Sequence, residues 1–487
     1  MVFTSLSFII LLLCLFFVYY VFSLKLPTMQ WVVLLIFSLI FYTYSSPKYL
    51  IFLTVSIVVT WLTSLNIERK CALPLCIILN IGLLFFIKYA GVFSRITGHE
   101  IGKIIVPLGI SFYTFQSIGY CIDVKRGLVE PEHIILKYAL YVSFFPHISQ
   151  GPIGRYEELM PQLMTPHRFD YDRFVRGLER ILLGYFKKIL IANNLARIVD
   201  EVYGHYDAFT GKTLIFATLM YAFQLYADFS GYMDIALGVG ECLGIRLSEN
   251  FNTPYFSKSI SEYWRRWHIT LGAWFKDYLY YPVLRSGLIS KLGRKLRKSG
   301  HKKAAKNITT SIGLFITWLC IGMWHGSSLN FIAHGMFHAF FIILAVFMED
   351  GYKKMKERLG VRENSGVYAA FQVIRTFTIV NIGYVFFRAD SLRIALNIYK
   401  RMIMNFSDDG FIVFLHSYDR AFWLVTGFAM LVCIMIDCLD KKVKWIDALH
   451  KAPVWLRWGV VYLAGFVTLV YSFDQPVSAQ AFLYFDF

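Results

Sequence analysis

Residues Tyr226–Tyr281 read YADFSGYMDIALGVGECLGIRLSENFNTPYFSKSISEYWRRWHITLGAWFKDYLYY. The flanks are apolar enough for a bilayer, yet the stretch holds Asp228, Asp234, Glu241, Glu249, Asn252, Glu262, Arg265, Arg266, His268 and Asp277. Ionisable groups at bilayer depth are costly; where they cluster they face a protein interior or a wet cavity and carry function. A second such place is Trp324-His325-Gly326, behind the run Ile308–Met323, in which Lys and Arg are absent.

The rest of the chain supports a membrane setting. Of its 487 residues 57% are hydrophobic and only 17% charged, whereas soluble domains are about one quarter charged. So little charge cannot clothe a water-facing surface of this size. The net charge of +17 reads as basic loops lying against anionic lipid, not as a nucleic-acid footprint. The eight cysteines show no CxxC pair and read as small buried hydrophobes. Phe3–Leu24 is apolar, and its first basic residue, Lys25, follows the run. That order differs from a cleaved secretory signal and predicts a first span with its N-terminus outside.

Apolar stretches recur along the chain, among them Ile104–Ile122, Ile134–Ile148 and Thr213–Leu237. Interruptions such as Val106-Pro107-Leu108-Gly109 and Phe145-Pro146 are tolerated at depth only inside protein or along a cavity. The pattern predicts about ten to twelve spans plus re-entrant or interfacial helices. Tyr171–Tyr203 has apolar residues at helical spacing with Arg and Lys on the other face and predicts an interfacial amphipathic helix or pair of helices. Arg285–Lys306 reads as a basic cytoplasmic loop, and Glu349–Asn364 as another polar connection. No internal repeat, low-complexity tract or linker divides the sequence.

His268 ends Glu262-Tyr-Trp-Arg-Arg-Trp-His; on a helix it would share a face with Trp264. Aromatic neighbours lower an imidazole pKa, and Glu262 or Asp277 would raise it. Taken alone, such a histidine is more often structural. His325 is sharper: a neutral imidazole in an apolar run can serve as general base, and Gly326 would let a substrate approach the backbone. His334 and His338 share a helix face, but no carboxylate joins them at metal-site spacing, so no metal is expected. There is no GxxxxGK[ST] loop and no GxSxG elbow. Asp228 and Asp234 admit two readings, structural hydrogen bonding or the proton relay of a secondary transporter, although transporters often show repeated halves.

Several stretches together resemble the membrane-bound O-acyltransferases (MBOAT), in particular the bacterial branch of alginate O-acetyltransferase and its exopolysaccharide relatives. They are VPLGISFYTFQSIGYCIDV (Val106–Val124), FFPHISQGPIGRYEELMPQL (Phe144–Leu163), YADFSGYMDIALGVG (Tyr226–Gly240), the segment Arg246–Val283, WHGSSLNFIAHGMFHA (Trp324–Ala339) and FLYFDF (Phe482–Phe487). The resemblance implies an all-α polytopic fold around a central funnel or tunnel. It implies one domain, 1–487, with peripheral spans over 1–95, a motif-bearing core over about 100–390 and further spans over 420–487. It implies His325 and His268 as catalytic, Asp228, Asn252, Trp264, Arg265, Trp267, Trp324 and Asn330 as lining the substrate path, and His338 as supporting. His147 and Gln150 fall where relatives vary, and His334 is not part of the pattern.

The activity so implied moves an acyl group, most simply acetyl, from a cytoplasmic thioester toward an extracellular polysaccharide hydroxyl. Acetyl-CoA would be the donor substrate, with no resident cofactor, and the basic residues of Arg285–Lys306 could attract it. The implied partners are the bilayer, the polysaccharide, an extracytoplasmic SGNH-hydrolase-like protein and, for a different donor, an acyl carrier protein. The implied place is a bacterial cell membrane. D-alanyl transfer to teichoic acid is the nearest rival within the fold, and a proton-coupled transporter the rival outside it.

Overall fold

Away from water, backbone amides have only one another to bond, so long apolar runs close into helices. The computed structural model describes residues 3–45, 47–97, 106–407, 409–441, 443–473 and Phe482. The start of Ile104–Ile122, and all of Phe482–Phe487 except Phe482, therefore lie outside the described residues. Among the described residues there is no strand; a single isolated antiparallel bridge joins Phe251 and Trp267. Among the described residues, eight helices are long and apolar enough to cross a bilayer: Pro27–Ser45, Pro47–Leu65, Ala72–Ser94, Lys302–His325, Leu329–Arg358, Gly366–Arg388, Arg420–Asp440 and Val454–Phe473. Leu6–Phe22 is a shorter apolar helix. The chain is an all-α, multi-pass membrane protein.

Three further apolar stretches are shaped differently, which is why eight helices meet both criteria where about ten to twelve spans were expected. Ile110–Lys125 begins only after Gly109, whose backbone is left-handed, and has 16 residues. Ile135–Ser143 stops after nine residues; Phe144 turns the chain, and Pro146 opens a single new turn, Phe145–Ile148. Proline fits that first turn because its missing N–H would have no helical partner there. Gly211–Leu243 is long, with 33 residues, but carries Asp228, Asp234 and Glu241.

The described chain divides into two compact units. The first comprises Met1–Asn194, Leu225–Glu249 and Val425–Phe487; the second comprises Leu195–Gln224 and Asn250–Leu424.

In the first unit, helix Tyr171–Phe186 packs antiparallel on the segment after Leu225 through glycines seven apart on both sides. A Cβ on Gly177 would lie 2.7 Å from the Gly238 carbonyl oxygen, and one on Gly184 would lie 2.5 Å from that of Gly231. Small residues let two backbones approach this closely. The approach brings the continuation, a π-helical stretch Lys187–Ala192, against buried acids. Lys188 Nζ donates to Asp228 at 2.7 Å, Lys187 Nζ to Asp234 at 2.7 Å, and Arg180 to Asp234 and Glu249 at 3.3 and 2.7 Å. The basic face expected at a water interface is thus turned inward, with Glu179, Lys187 and Lys188 buried. Burial of these charges is tolerable because each has an opposite charge to meet it.

In the second unit, Lys302–His325 and Leu329–Arg358 form a tight helical hairpin. A Cβ on Gly322 would lie 2.8 Å from the Phe331 carbonyl oxygen, and one on Gly335 would lie 2.5 Å from that of Trp318. The expected basic loop is largely helix: Gly287–Lys298 buries Ile289 and Gly293 and points its lysines and arginines outward. Likewise, much of the expected polar connection after Glu349 continues helix Leu329–Arg358.

Candidate active site

The segment Tyr263–Thr270 is not the continuous helix that its spacing suggested. Helix Ile260–Arg266, capped by Ser259, ends at Trp267, which is extended, and His268 adopts a left-handed backbone with φ 47°. The cause is a neighbour distant in helix terms: residues 250–253 run antiparallel to 266–269. Asn252 N–H donates to the Arg266 carbonyl at 3.0 Å, and Ile269 N–H to that of Asn250 at 3.0 Å. The Asn250 carboxamide oxygen accepts from both the backbone N–H and the hydroxyl of Thr270, at 2.9 and 2.7 Å. A left-handed non-glycine residue costs about 1–3 kcal/mol and persists only where its surroundings hold it. Thr253, with φ 46°, is the other such residue among those described, and its hydroxyl accepts from Arg266 at 3.1 Å.

This turn aims the His268 ring at Trp324, centroid to centroid 6.3 Å. His325, the last residue of its helix, lies against the same indole at 4.6 Å. Phe387 closes on His325 edge-to-face at 4.9 Å. A row of imidazoles continues from there: His325 to His334 at 6.5 Å, and His334 to His338 at 4.6 Å. All four histidines are buried, at 5% relative exposure or less. His334 Nδ1 lies 2.9 Å from the Gly383 carbonyl oxygen; a carbonyl only accepts, so Nδ1 carries the proton. Gly383 also makes room for the row, since a Cβ there would sit 3.0 Å from His338 Nε2.

His338 packs against Trp264 at 4.9 Å and Trp318 at 5.7 Å. Among the described residues, neither His338 nitrogen nor Trp264 Nε1 has a hydrogen-bond partner. Unmet polar groups buried this deeply cost free energy unless water or a ligand satisfies them. Burial pushes the His268 imidazole down to about 3, so it stays neutral at physiological pH. No three His, Cys, Asp or Glu side chains among the described residues are grouped to hold a metal ion.

The other residues singled out in the sequence are distributed as follows. Trp267 is buried against Phe251 and Tyr263, at 5.0 and 5.7 Å, and belongs to the wall of the turn. Asn330 is buried, its amide donating to the Phe386 and Ala389 carbonyls at 3.0 and 2.7 Å, which ties down the end of helix Gly366–Arg388. Arg265 and Asn252 are exposed; Asn252 contributes its backbone, and the buried amide of this segment is Asn250. Asp228 lies in the first unit, paired with Lys188. Gly326 does not leave space for a substrate: a Cβ there would be 2.9 Å from the ring of Phe331, which fills it.

Sequence reasoning missed Asn250, Phe387 and the part played by His334. The signal for His334 was its spacing of four from His338. Phe387 lies in another helix and gave none.

Residues 132–387 match the profile of MBOAT, the membrane-bound O-acyltransferase family. That is more than half of the chain. The chain belongs to this family. The matched stretch contains His268, His325, His334 and His338. Among MBOAT relatives, the chain is similar to the probable alginate O-acetylase AlgI of Pseudomonas aeruginosa, 38% identical over 300 residues, 61% of this chain and 52% of that protein. It is 33% identical to the peptidoglycan O-acetyltransferase of Helicobacter pylori over 415 residues, 77% of this chain and 73% of the relative. It is 31% identical to the teichoic acid D-alanyltransferase of Bacillus subtilis over 267 residues, 53% and 63% of the two chains. The chain thus spans 52% to 57% of the length of the three alginate O-acetylases it matches from Pseudomonas aeruginosa, P. putida and P. fluorescens.

Proposed function

We propose that this chain is a membrane O-acyltransferase that moves an acetyl group from cytoplasmic acetyl-CoA toward a polysaccharide hydroxyl outside a bacterial cell membrane. The observation that carries this reading is the meeting of His268 and His325 at the indole of Trp324, in a buried aromatic enclosure. His325 takes the proton of the accepting O–H while that oxygen bonds to the thioester carbonyl carbon. The carbonyl electrons move onto oxygen, and neutral N–H donors such as His268 and Trp264 stabilise the oxyanion. As the carbonyl re-forms, the C–S bond breaks and the departing thiolate collects the proton from His325. An extracytoplasmic SGNH-hydrolase-like protein would receive the acetyl group and pass it to the glycan. The greater identity to O-acetylating relatives, 38% and 33% against 31%, supports acetyl over D-alanyl.

Membranes supplied with labelled acetyl-CoA, or with a D-alanyl carrier-protein thioester, test the donor directly. His325→Ala at normal membrane abundance is expected to lose at least about 100-fold in transfer. Undiminished transfer in that variant would remove His325 from the chemistry, and label arriving only from D-alanyl thioester would reassign the donor.

A further inference from the structure

The break at Trp267-His268 is imposed from outside the segment that carries it. Ile260–Leu271 holds no proline and no glycine, and the chain is helical on both sides of the break, over Ile260–Arg266 and Ile269–Phe275. If one helix ran through, Trp264 and His268, four apart, would share a face. Instead the two rings are parted. Trp264 faces Trp318 and His338, at 4.7 and 4.9 Å, while His268 faces Trp324.

His268 stands at the N-cap of Ile269–Phe275 and makes no capping hydrogen bond with its side chain. The first N–H groups of a helix have no partner within it, and an oxygen on the N-cap side chain ordinarily accepts from the second or third of them. Here that oxygen comes from a residue distant in sequence. The Asn250 carboxamide takes the N–H of Thr270, second in the helix, together with the Thr270 hydroxyl. The Asn250 backbone carbonyl takes the N–H of Ile269, first in the helix. Asn250 is 0% exposed, so bulk water does not compete for these bonds. An imidazole that capped its own helix would have to fold back over Thr270 and leave Trp324. The other end of the pairing is tied as well: Arg266 donates to the Thr253 hydroxyl at 3.1 Å and pairs with Glu262 at 2.6 Å.

We propose that Asn250 is a positioning residue for acyl transfer: by capping Ile269–Phe275 in place of His268, it fixes the left-handed turn that points the His268 imidazole at Trp324. It touches no reacting atom and acts through His268 alone. The proposal rests on the acyl-transfer reading for what His268 does there, whereas the hold of Asn250 on the turn is measured apart from any reaction.

The full chain in lipid nanodiscs, isotope-labelled at histidine, is observed by magic-angle-spinning NMR with no acyl donor present. The His268 signals are those that vanish in His268→Asn, and left-handed and helical backbones differ in their Cα and Cβ shifts. Asn250→Ala is expected to move these signals toward helical values. In membranes it should lower kcat for transfer from labelled acetyl-CoA about 10- to 100-fold with KM little changed. Asn250→Asp, which keeps an acceptor oxygen in the same place, is expected to restore the signals and most of kcat. Thr270→Val loses one of the two side-chain bonds; it should shift the signals less and in the same direction, and it decides the matter if Asn250→Ala does not fold. In a His268→Asn background, Asn250→Ala should cost less than about twofold in kcat, since no imidazole is left to aim. Unchanged His268 signals and unchanged kcat in Asn250→Ala would overturn the proposal. A loss of kcat as large in the His268→Asn background as in the parent would overturn it too, because a merely structural role gives that result. A parent that transfers no acetyl group would end the donor assignment instead, and the His268 signals would still decide whether Asn250 holds the turn.

Discussion

The two units handle buried polarity in opposite ways. In the first, Arg180, Lys187 and Lys188 meet Asp228, Asp234 and Glu249 at hydrogen-bonding distance, charge against charge. In the second, His268, His325, His334 and His338 are packed among Trp264, Trp318, Trp324 and Phe387. A matched ion pair has its bonding capacity spent on its partner; it holds helices together and has little left for a substrate. An imidazole in an aromatic enclosure stays neutral and can take up a proton when one is offered. Burial of an ionisable residue is therefore a poor marker of chemistry until its partners are known.

The sharpest way to break this contrast is Lys188→Ala, which takes the ammonium away from the carboxylate of Asp228, buried at 2% exposure. Loss of one partner of a buried pair costs about 3–5 kcal/mol, so folded yield and thermal midpoint in detergent should fall steeply. Lys188→Met combined with Asp228→Leu should recover most of that loss. If Lys188→Ala is as stable as its parent, the first unit is not held by its ion pairs.

A smaller effect is expected from Gly184→Ala, whose Cβ would enter the Gly231 backbone. Overpacking of this kind costs about 1–3 kcal/mol and should lower the thermal midpoint without altering donor specificity. Gly204→Ala, which meets nothing within 4 Å, is its control.

The smallest effect, counted per pH unit, concerns the second unit. His268 is held neutral when folded, at about 3, against about 6.5 when unfolded. Its burial is therefore tolerated fully above pH 6.5. As pH falls from there toward 3 the unfolded chain binds a proton that the folded chain refuses. Stability should drop by up to about 1.4 kcal/mol per pH unit in that window. His268→Asn, which still accepts the left-handed backbone, should flatten this slope. An unchanged slope would mean that His268 is not buried as described.

Much of this was readable before any coordinates. The apolar runs located most of the spans, and His268 and His325 stood out as imidazoles in aromatic surroundings. Other readings failed for a common reason. The Tyr171–Tyr203 helix was given its amphipathic pattern correctly and its polar face wrongly, because periodicity says which residues share a face and not what meets them. Gly326 was read as room for a substrate, but Phe331 occupies it. Trp264 and His268 were placed on one helix face, but pairing with Asn250 and Asn252 unwinds the chain between them.

Hydropathy, motif order and residue spacing are properties along a line, and along that line the chain is already an all-helical membrane protein of the MBOAT family with its histidines marked. Which acid answers Lys188, why His268 is left-handed and how four imidazoles come to stand in a row depend on residues distant in sequence brought to within a few ångströms. Helix packing decided those, since hydrogen bonds and ion pairs act over that distance alone.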